Sequence, residues 1–396
     1  MTESNSEHEL HEQLCERVRA AGRATWSARF RGEPQAVSKR EEVMERELAV
    51  IGRLGMSRAY LTVAEIREIA EERGIPTVAW YGKFTSSLVL DALGLNPLDP
   101  IELGLYWESI FTSKIPLHVM ISVGHKRTTE MLRGLTARDL LGSFFPVVRR
   151  PFPDETYYEV PERSRPAEYN TSADTSYRHT IRIAWDREMP GIAVAHGGRL
   201  PRLDDPALRD PALFAKLAQG RTKGLRFLFG RSGRELIERM KPKNVAEVAA
   251  AITLNRPGPK ECRLVDAYLD KRVFRPPVGT LQEVTADSRR KLLYFEQAYR
   301  LLLYLGLESV AEAREFCMSA WSDHARFIPM LRKLNDGARV RGIPDVEVDA
   351  ITSCIMTGAQ QLYPKSYCYG AAWMLLAELS ARGPQNQFAR ASKEIK

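Results

Sequence analysis

Histidine and cysteine, which often bind metal ions, are not arranged in this sequence as they are in metal sites. Only His8 and His11 among the seven histidines lie close together, in a charged N-terminal segment. The five cysteines are widely separated and form no Cys-x-x-Cys pair, whereas zinc sites need several ligands at short spacings. We therefore predict no metal ion, no cofactor, and cysteines that stay reduced and mostly buried.

Two residues near the C-terminus could bind a phosphate. Lys365 and Ser366 open the last predicted helix, and the N–H groups at a helix N-terminus attract anions. An N-capping role explains the same residues equally well. The formal net charge of +8, from 58 Lys and Arg against 50 Asp and Glu, permits attraction to nucleic acid without requiring it.

The composition is that of a globular protein without a membrane span. Of the 396 residues, 44% are hydrophobic, which is enough for a buried core. The apolar run from Val245 to Leu254 is interrupted by Glu247 and Thr253, well below the length that crosses a bilayer. The acidic, polar start of the chain is unlike a secretory signal. These features predict a cytoplasmic protein with no membrane partner.

The elements that must position these residues begin after a charged N-terminal segment. Residues 1–40 contain few large apolar side chains apart from a patch at Trp26 to Phe30, and we predict a flexible arm there. Apolar spacing predicts a helix from Glu41 to Leu54. A second helix is predicted to open at Thr62 and to end at Gly74. A strand at 75–81 and a third helix at 86–93 follow.

The middle of the chain is predicted to contain the main strands. Residues 144–205 are rich in proline, aromatic and β-branched residues, and His179–Trp185 and Gly191–Ala195 have strand-like patterns. From residue 211 onward the patterns are helical. Residues 383–396 are predicted to be a flexible tail. The predicted fold class is therefore α/β and predominantly helical.

Several motifs occur in the order found in the bacterial C-family DNA polymerases. Arg256–Pro257–Gly258–Pro259 repeats the family's Arg-Pro-Gly-Pro, and Tyr294–Phe295–Glu296–Gln297 stands where the family has Tyr-Gln-Glu-Gln. Weaker matches lie before and after them, at Glu47–Gly55, Leu98–Ile101 and Pro364–Ser366. Over roughly residues 41–382, the chain resembles the core of the replicative DNA polymerase III α subunit.

The resemblance implies a nucleotidyltransferase-like palm with a helical thumb and fingers. It assigns residues 41–230 to a palm-like domain with a helical, thumb-like insertion, and residues 231–382 to a fingers-like domain. Family members also carry a large N-terminal phosphoesterase-like domain and C-terminal clamp-binding modules, for which 396 residues leave no room. We therefore expect a truncated polymerase core.

Nucleotide addition in this family needs two divalent ions, which are held by carboxylate oxygens. The family supplies two of these carboxylates from a Pro-Asp-x-Asp-x-Asp-Phe strand, which aligns after Pro116. The three acids of that strand become Leu117, Val119 and Ile121 here, and Leu117 and Val119 occupy the two catalytic positions. Hydrocarbon side chains cannot hold Mg²⁺. The resemblance therefore implies that the metal site of the family is lost here.

The family's remaining catalytic acid comes from a second strand, whose position in this sequence is open. If Gly191–His196 is that strand, the acid is replaced by His196; if His179–Trp185 is, Asp186 survives nearby. One carboxylate cannot organise two ions on either alignment. The sequence thus predicts no catalytic residue.

The segments that bind the nucleotide in the family have also lost the residues that this role needs. The family's glycine-rich loop, in which backbone amides approach phosphates, aligns with Val78–Ser87, where only Gly82 remains of its glycines. The family's Arg-Arg-Ala-Met-Gly-Lys-Lys, which faces the triphosphate, aligns with Phe316–Ser322 and has lost every positive charge. The joint loss of three separate requirements indicates that polymerisation has been abandoned.

Some cations remain at positions that could face DNA, each with a simpler structural explanation. A lone loop lysine is commonly just solvated, an exposed helix commonly carries basic residues, and Arg-Pro-Gly-Pro can form a turn without any ligand. The candidate DNA contacts are Lys83, Lys126, Arg127, Arg231, Arg256, Lys365 and Ser366.

Three functions are compatible with these observations. The leading one is a non-catalytic, DNA-binding or replication-associated factor whose partner is DNA. The second is a phage or mobile-element product that binds replisome proteins by mimicking their polymerase. The third is an active DNA polymerase with a rebuilt metal site, around Asp174, Asp186, Asp204 and Asp205.

Overall fold

The computed structural model describes residues 3–111, 118–124, 145–147, 155–159, 180–186, 188–222, 224–228, 230–270 and 278–382. Most of these residues are helical, which confirms the predicted helical character. They divide into two compact units: the described parts of Met1–Leu103, Ser113–Asp205 and Ala377–Lys396 form the first unit, and those of Gly104–Thr112 and Pro206–Leu376 form the second. No helix in this described part has both the length and the apolar character needed to cross a membrane.

The helices of the described residues, in chain order, are α1 (Glu3–Arg29), α2 (Pro34–Arg53), α3 (Ser57–Glu72), α4 (Leu88–Ala92), α5 (Glu108–Phe111), α6 (Met189–Ala195), α7 (Pro211–Ala218), α8 (Arg231–Met240), α9 (Val245–Leu254), α10 (Pro257–Glu261), α11 (Leu264–Leu269), α12 (Gly279–Val284), α13 (Phe295–Leu305), α14 (Val310–Ser322), α15 (His324–Val340), α16 (Asp345–Gly358) and α17 (Lys365–Ala381). The strands are β1 (Thr77–Val78), β2 (His118–Gly124), β3 (Phe145–Val147), β4 (Glu155–Glu159) and β5 (Thr180–Asp186).

The N-terminal segment is a packed helix, so the prediction of a flexible arm over residues 1–40 is wrong. Leu14, Val18 and Trp26 are fully buried. They follow one another at four- and eight-residue spacing, which places them on one side of α1. A side chain at Gly22, between them, would lie 3.3 Å from the Cβ of Ala92. The burial of this apolar stripe against α3 and α4 fixes the segment.

The five strands form one sheet in the order β1-β2-β5-β4-β3. Strands β2 and β5 are parallel, and the other neighbours are antiparallel. Strand β5 is the predicted strand at 179–185, displaced by one residue. The sheet therefore places the strand that follows position 116 directly beside the strand that ends in Asp186.

The second strand candidate, Gly191–Ala195, is wrong because these residues belong to helix α6. A short apolar run cannot distinguish a strand from a helix by its pattern alone. Pro190 lies in the first turn of α6, where a missing N–H and a fixed φ favour a helix start. Met189, Ile192 and Ala193 are buried while Val194 is exposed, which is the periodicity of a helix.

The core of the second unit is built mainly from α13, α14, α15 and α16. Leu302, Phe316, Leu334 and Ile351 are all fully buried in one apolar cluster. Because each helix contributes a stripe at helical spacing, the four pack around a common centre. This arrangement is the predicted helical C-terminal half.

Helix α15 and the end of α13 meet at two glycines. A Cβ on Gly337 would lie 2.9 Å from the Cα of Gly306, and one on Gly306 would lie 2.6 Å from the Cα of Gly337. The neighbours are backbone atoms that cannot rotate away. Gly337→Ala should therefore reduce the free energy of unfolding of the second unit by about 1–3 kcal/mol, measured as a lower urea midpoint.

Gly279→Ala is the matched control for this prediction. Gly279 begins helix α12, and among the residues that the structure describes, apart from its chain neighbours and its own helix backbone, no atom lies within 4 Å of a Cβ built there. Its substitution should leave the midpoint unchanged or raise it slightly, since alanine restricts the unfolded chain. Equal midpoints for the two variants would show that the glycine contact does not constrain the packing.

Candidate active site

Strand β2 carries two of the positions at which the resemblance places carboxylates. Ile121 pairs with Ile183, and Gly124 pairs with Asp186. Because successive residues of a strand alternate between the two faces of a sheet, Val119 and Ile121 occupy positions of one face, and Asp186 occupies a position of the other. Leu117 lies outside the described residues. Asp186 therefore does not lie on the sheet face that carries positions 119 and 121, where the family's carboxylates are replaced.

The side chains of β2 that are described belong to the interior. Ile121 is 0% exposed and Ser122 is 1% exposed. Trp80, from the loop before α4, donates a hydrogen bond from Nε1 to Oγ of Ser122 over 2.9 Å. This contact links the segment aligned with the family's glycine-rich loop to the segment aligned with its metal-binding strand.

Asp186 is a single buried carboxylate at the end of β5. Its Oδ1 accepts a hydrogen bond from the backbone N–H of Glu188 over 3.0 Å, in the turn that leads to α6. Among the residues that the structure describes, no group of three or more His, Cys, Asp or Glu side chains could hold a metal ion. The described residues do not fit the two-ion centre that the family implies, since two ions need several carboxylate ligands.

His196 follows helix α6 and does not lie on a strand, so it does not occupy a catalytic-acid position beside β2. Its Nε2 lies 2.9 Å from Oγ of Ser380. Burial lowers the pKa of His196 and Arg199 lowers it further, against the opposing effect of Asp205. The histidine is therefore held mainly neutral, in a structural contact.

The loop aligned with the glycine-rich segment is filled by its own side chains. Residues Gly82–Ser86 form a 3₁₀ turn, and Gly82 has a φ of +77°, which glycine adopts without strain. Trp80 and Phe84 are buried, and Thr85 is fully buried. Lys83 is partly buried within this turn. The loop therefore lacks the exposed run of glycine amides that cradles phosphates.

A buried glutamate already occupies the helix start that follows this loop. Oε2 of Glu47 accepts hydrogen bonds from the backbone N–H groups of Leu88 and Val89, over 2.7 and 3.2 Å, and Oε1 accepts one from the hydroxyl of Ser87 over 2.6 Å. A phosphate at the N-terminus of α4 would meet this negative charge. The capping role of Glu47 could not be recognised from sequence spacing, because 40 residues separate the partners.

The second helix start, at Lys365 and Ser366, is capped in the same way. Glu296 is buried and accepts hydrogen bonds from the backbone N–H groups of Lys365, over 2.7 Å, and Ser366, over 3.2 Å. Burial raises the pKa of Glu296, and the two N–H groups oppose that shift. The ammonium of Lys365 pairs with Asp287 at 2.8 Å. The predicted phosphate contacts are thus engaged with carboxylates of the chain.

Arg256, within Arg-Pro-Gly-Pro, is also engaged internally. Its guanidinium stacks 4.2 Å from the ring centre of Tyr363 and donates to the backbone carbonyls of Thr253, over 2.9 Å, and Gln361. Burial lowers its pKa. These contacts connect the end of α9 to the segment before α17, which is a structural role for Arg256.

Arg231 is the most exposed of the candidate DNA contacts that are described. Its side chain is 91% exposed and pairs with Glu235 one turn further along α8, at 2.8 Å. An exposed pair of this kind contributes little to stability, so the guanidinium is free to exchange partners. Lys126 and Arg127 lie outside the described residues.

Two of the positions aligned with the finger cations, those of Phe316 and Cys317, are part of the apolar core. Phe316 and Cys317 are fully buried in α14, and the ring of Phe316 lies 5.0 Å from that of Phe327 in α15. Burial raises the pKa of Cys317 to about 12. An arginine at either position would have no water and no counter-ion, so the loss of charge there is required by the packing.

A buried cluster of ion pairs in the described part of the first unit was not found from the sequence. We call it the arginine network: three arginines and three aspartates that converge from α1, α2, α4 and two loops, namely Arg29, Arg40, Arg202, Asp91, Asp99 and Asp204. Their separation along the chain leaves no local signal. Paired charges of this kind can be buried because each is neutralised.

Asp91 and Asp99 are the acceptors at the centre of the network. Asp91 is fully buried and accepts hydrogen bonds from Nε1 of Trp26, over 2.8 Å, and Nη2 of Arg202, over 2.9 Å. Asp99 pairs with Arg40 and with Arg29, the latter at 2.9 Å. The network therefore ties the loops after α4 and α6 to the N-terminal helices.

Two family models match the chain. Residues 8–114 match the bacterial DNA polymerase III alpha NTPase domain, and residues 193–319 match the bacterial DNA polymerase III alpha subunit finger domain. The chain belongs to the DNA polymerase III α-like family of bacteria. The NTPase model covers most of α1, and the finger model begins at residue 193, whereas the sequence predicted fingers-like residues from 231. The palm, thumb and fingers assignments themselves stay predictions.

Curated relatives agree with this family. The chain is 23% identical to the DNA polymerase III subunit alpha of Thermotoga maritima over 346 residues, covering 77% of this chain and 41% of that protein. It is 27% identical over 205 residues to the corresponding subunit of Aquifex aeolicus, covering 50% of this chain and 18% of that protein. An error-prone DNA polymerase of Anaeromyxobacter dehalogenans is 23% identical, with 91% and 42% covered. The chain thus spans less than half the length of these relatives.

Proposed function

We propose that the chain is a DNA-binding, replication-associated member of the DNA polymerase III α-like family that does not add nucleotides. The observation that carries the proposal is the register of β2 and β5, which sets apolar residues at positions 119 and 121 and leaves Asp186 at a position of the opposite face. Side-chain type and strand geometry together thus support the loss of the metal-binding carboxylates.

The missing carboxylates remove the step on which polymerisation depends. Two ions neutralise charge on the attacking and leaving oxygens during phosphoryl transfer. Ile121 offers no oxygen ligand, and Asp186 alone cannot replace several carboxylates. The buried Trp80 and Phe84 of the loop and the buried Phe316 of α14 support the same conclusion, because these side chains carry no charge that could bind a triphosphate.

Binding to DNA is supported by the family and by charge. The chain has a net charge of +8, and neutralising phosphates with Lys and Arg releases condensed counter-ions, which drives association. A nucleotidyltransferase-like palm that has lost its ions would still offer a surface shaped for a duplex. Work on bacterial DNA also requires the cytoplasmic location predicted from the sequence.

An active polymerase with a rebuilt metal site is the less favoured reading. Asp204, one of its candidate ligands, is already paired with Arg29 at 2.8 Å and lies 3.7 Å from Arg202. Burial alone would raise the pKa of Asp204, but the two arginines outweigh it and hold the pKa below its ordinary value. Asp174 lies outside the described residues.

Binding and extension of one labelled primer–template should be measured in the same samples, with Mg²⁺ or Mn²⁺ and all four dNTPs. We expect binding that weakens steeply with salt and no extended primer, while the Thermotoga maritima DNA polymerase III subunit alpha extends the primer as the positive control. Primer extension by the chain would overturn the loss of catalysis. Absence of binding at low salt, together with capture of replisome proteins from a bacterial extract, would instead favour the polymerase mimic.

A further inference from the structure

One short stretch of the second unit carries almost the whole net charge of the chain. Residues 216–243 contain nine Lys or Arg and two Glu, a net charge of +7, against +8 for all 396 residues. Helix α8 occupies the C-terminal half of this stretch. Such a concentration of one sign of charge is typical of a surface that meets a polyanion.

The packing of α8 fixes the direction in which its cations face. Leu236, Ile237 and Met240 are buried, and a Cβ on Gly233 would lie 2.9 Å from the backbone of Leu228. The helix is therefore held close to the preceding segment by one face. Its exposed side carries Arg231, Glu235 and Glu238 opposite the buried face, with Arg234 and Arg239 at the two edges.

Four cations of this stretch are exposed and form no ion pair with any residue that the structure describes. We call them the basic surface: Arg221, Arg234, Lys241 and Lys243. Several exposed cations elsewhere in the second unit are paired, as Lys333 is with Glu312 at 2.6 Å, whereas the other exposed cations without an ion pair, such as Arg263 and Arg332, lie outside this stretch. An unpaired cation can bind a phosphate without first giving up a carboxylate.

The backbone around the basic surface is fixed. Lys241 ends α8 with a φ of 48° and a ψ of 61°, a left-handed conformation that a non-glycine residue keeps only where its surroundings determine it. The backbone N–H of Lys243 donates to Oε2 of Glu247 over 2.8 Å, and Nη2 of Arg289 pairs with Oε1 of the same Glu247 at 2.7 Å. A fifth cation is thus held next to Lys243.

We propose that the basic surface binds the phosphodiester backbone of duplex DNA, an inference that rests on the proposed function. The ten residues of α8 extend about 15 Å, which is about four phosphates along one strand of B-DNA. Contacts of Lys and Arg to phosphates carry no sequence information. Binding at this surface is therefore independent of base sequence and dependent on salt.

The test is fluorescence anisotropy of a labelled primer–template duplex with the full chain over a range of salt concentrations. The variant combines Arg234→Gln, Lys241→Asn and Lys243→Gln, with asparagine at 241 because it tolerates a left-handed backbone. We expect its affinity to fall by about tenfold or more, and the slope of log K against log salt to decrease by about 3, since each phosphate contact contributes about one.

The matched control removes the same charge from other exposed, unpaired arginines of the described chain, with Arg46→Gln, Arg53→Gln and Arg58→Gln. This control variant should keep the affinity and the salt slope of the unmodified chain.

If both triple variants bind DNA like the unmodified chain, the basic surface is not the contact, although the proposed function stands. If the unmodified chain does not bind the duplex, the result contradicts the proposed function itself, and the inference with it. Displacement of the duplex by polyglutamate as readily as by unlabelled duplex would identify an acidic-peptide site and overturn the inference. Should the triple variant not fold, Lys243→Gln alone must lower the slope by about 1.

Discussion

Asp91→Ala should destabilise the first unit by about 3–5 kcal/mol, the cost of removing one partner from a buried ion pair. The carboxylate of Asp91 is 0% exposed and accepts hydrogen bonds from Trp26 and Arg202. Without it, a buried indole N–H and part of a guanidinium lose their acceptors, and water cannot replace them. Helix α4 would then lose its hydrogen bonds to Trp26 of α1 and to Arg202, while the pairs of Arg29 with Asp99 and Asp204 remain.

Hydrogen exchange of peptides from α1 and α4 measures this loss locally, which matters because a chain with two units need not unfold in one step. Exchange in these peptides should be at least about a hundredfold faster in the variant, while peptides from α14 and α15 keep their rates. Asp204→Ala is the matched control: its side chain is 35% exposed, so its loss should cost about 1 kcal/mol or less. Equal effects of the two substitutions would show that Asp91 is not the centre of the arginine network.

Ile121→Asp should also be strongly destabilising, by about 3 kcal/mol or more, because an isolated carboxylate cannot be buried without a partner. Ile121 is 0% exposed and pairs with Ile183 in the centre of β2 and β5. The substitution restores the residue type that the family has at this position. In a site built for ions a metal would neutralise the acid, whereas here the acid would stand at a position that is 0% exposed.

Thermal unfolding with and without Mg²⁺ distinguishes an acid at position 121 that binds an ion from an acid that is buried without a partner. We expect a much lower midpoint for Ile121→Asp that Mg²⁺ does not raise, and a small change for Ile121→Val, which removes one methyl group at a cost of about 0.5–1.5 kcal/mol. A midpoint for Ile121→Asp that Mg²⁺ restores to that of the unmodified chain would mean that the position still belongs to an ion site.

The helices of the second unit could be predicted from the sequence because their signals are local. The helical patterns from residue 211 onward include α9, which is capped by the side chain of Asn244, and α14. Apolar periodicity, caps and glycine stops lie within a few residues of the helix that they define.

The N-terminal helix α1 was wrongly predicted to be a flexible arm. Leu14, Val18 and Trp26 form an apolar stripe at helical spacing, but the charged residues between them hid it. Their burial depends on α3 and α4, which come later in the chain. The prediction of a strand at Gly191–Ala195 was wrong for a different reason. A five-residue apolar run fits the pattern of a strand and that of a helix, and Pro190 in the first turn favours the helix.

The candidate site was only partly predictable. The replacement of carboxylates by Val119 and Ile121 could be seen in the sequence, but the choice between His196 and Asp186 could not, because it depends on which strand pairs with β2. The carboxylate caps of Glu47 and Glu296 join residues far apart in sequence. So does the arginine network, and no local pattern reveals such pairs.

Electron paramagnetic resonance of Mn²⁺, titrated into the chain with primer–template and a matching dNTP present, tests the absence of a two-ion centre most directly. We expect no pair of coupled ions and no binding beyond that of the DNA and nucleotide alone. Two Mn²⁺ ions bound per chain with the spectrum of a coupled pair would contradict the interpretation of β2 as a strand without ligands.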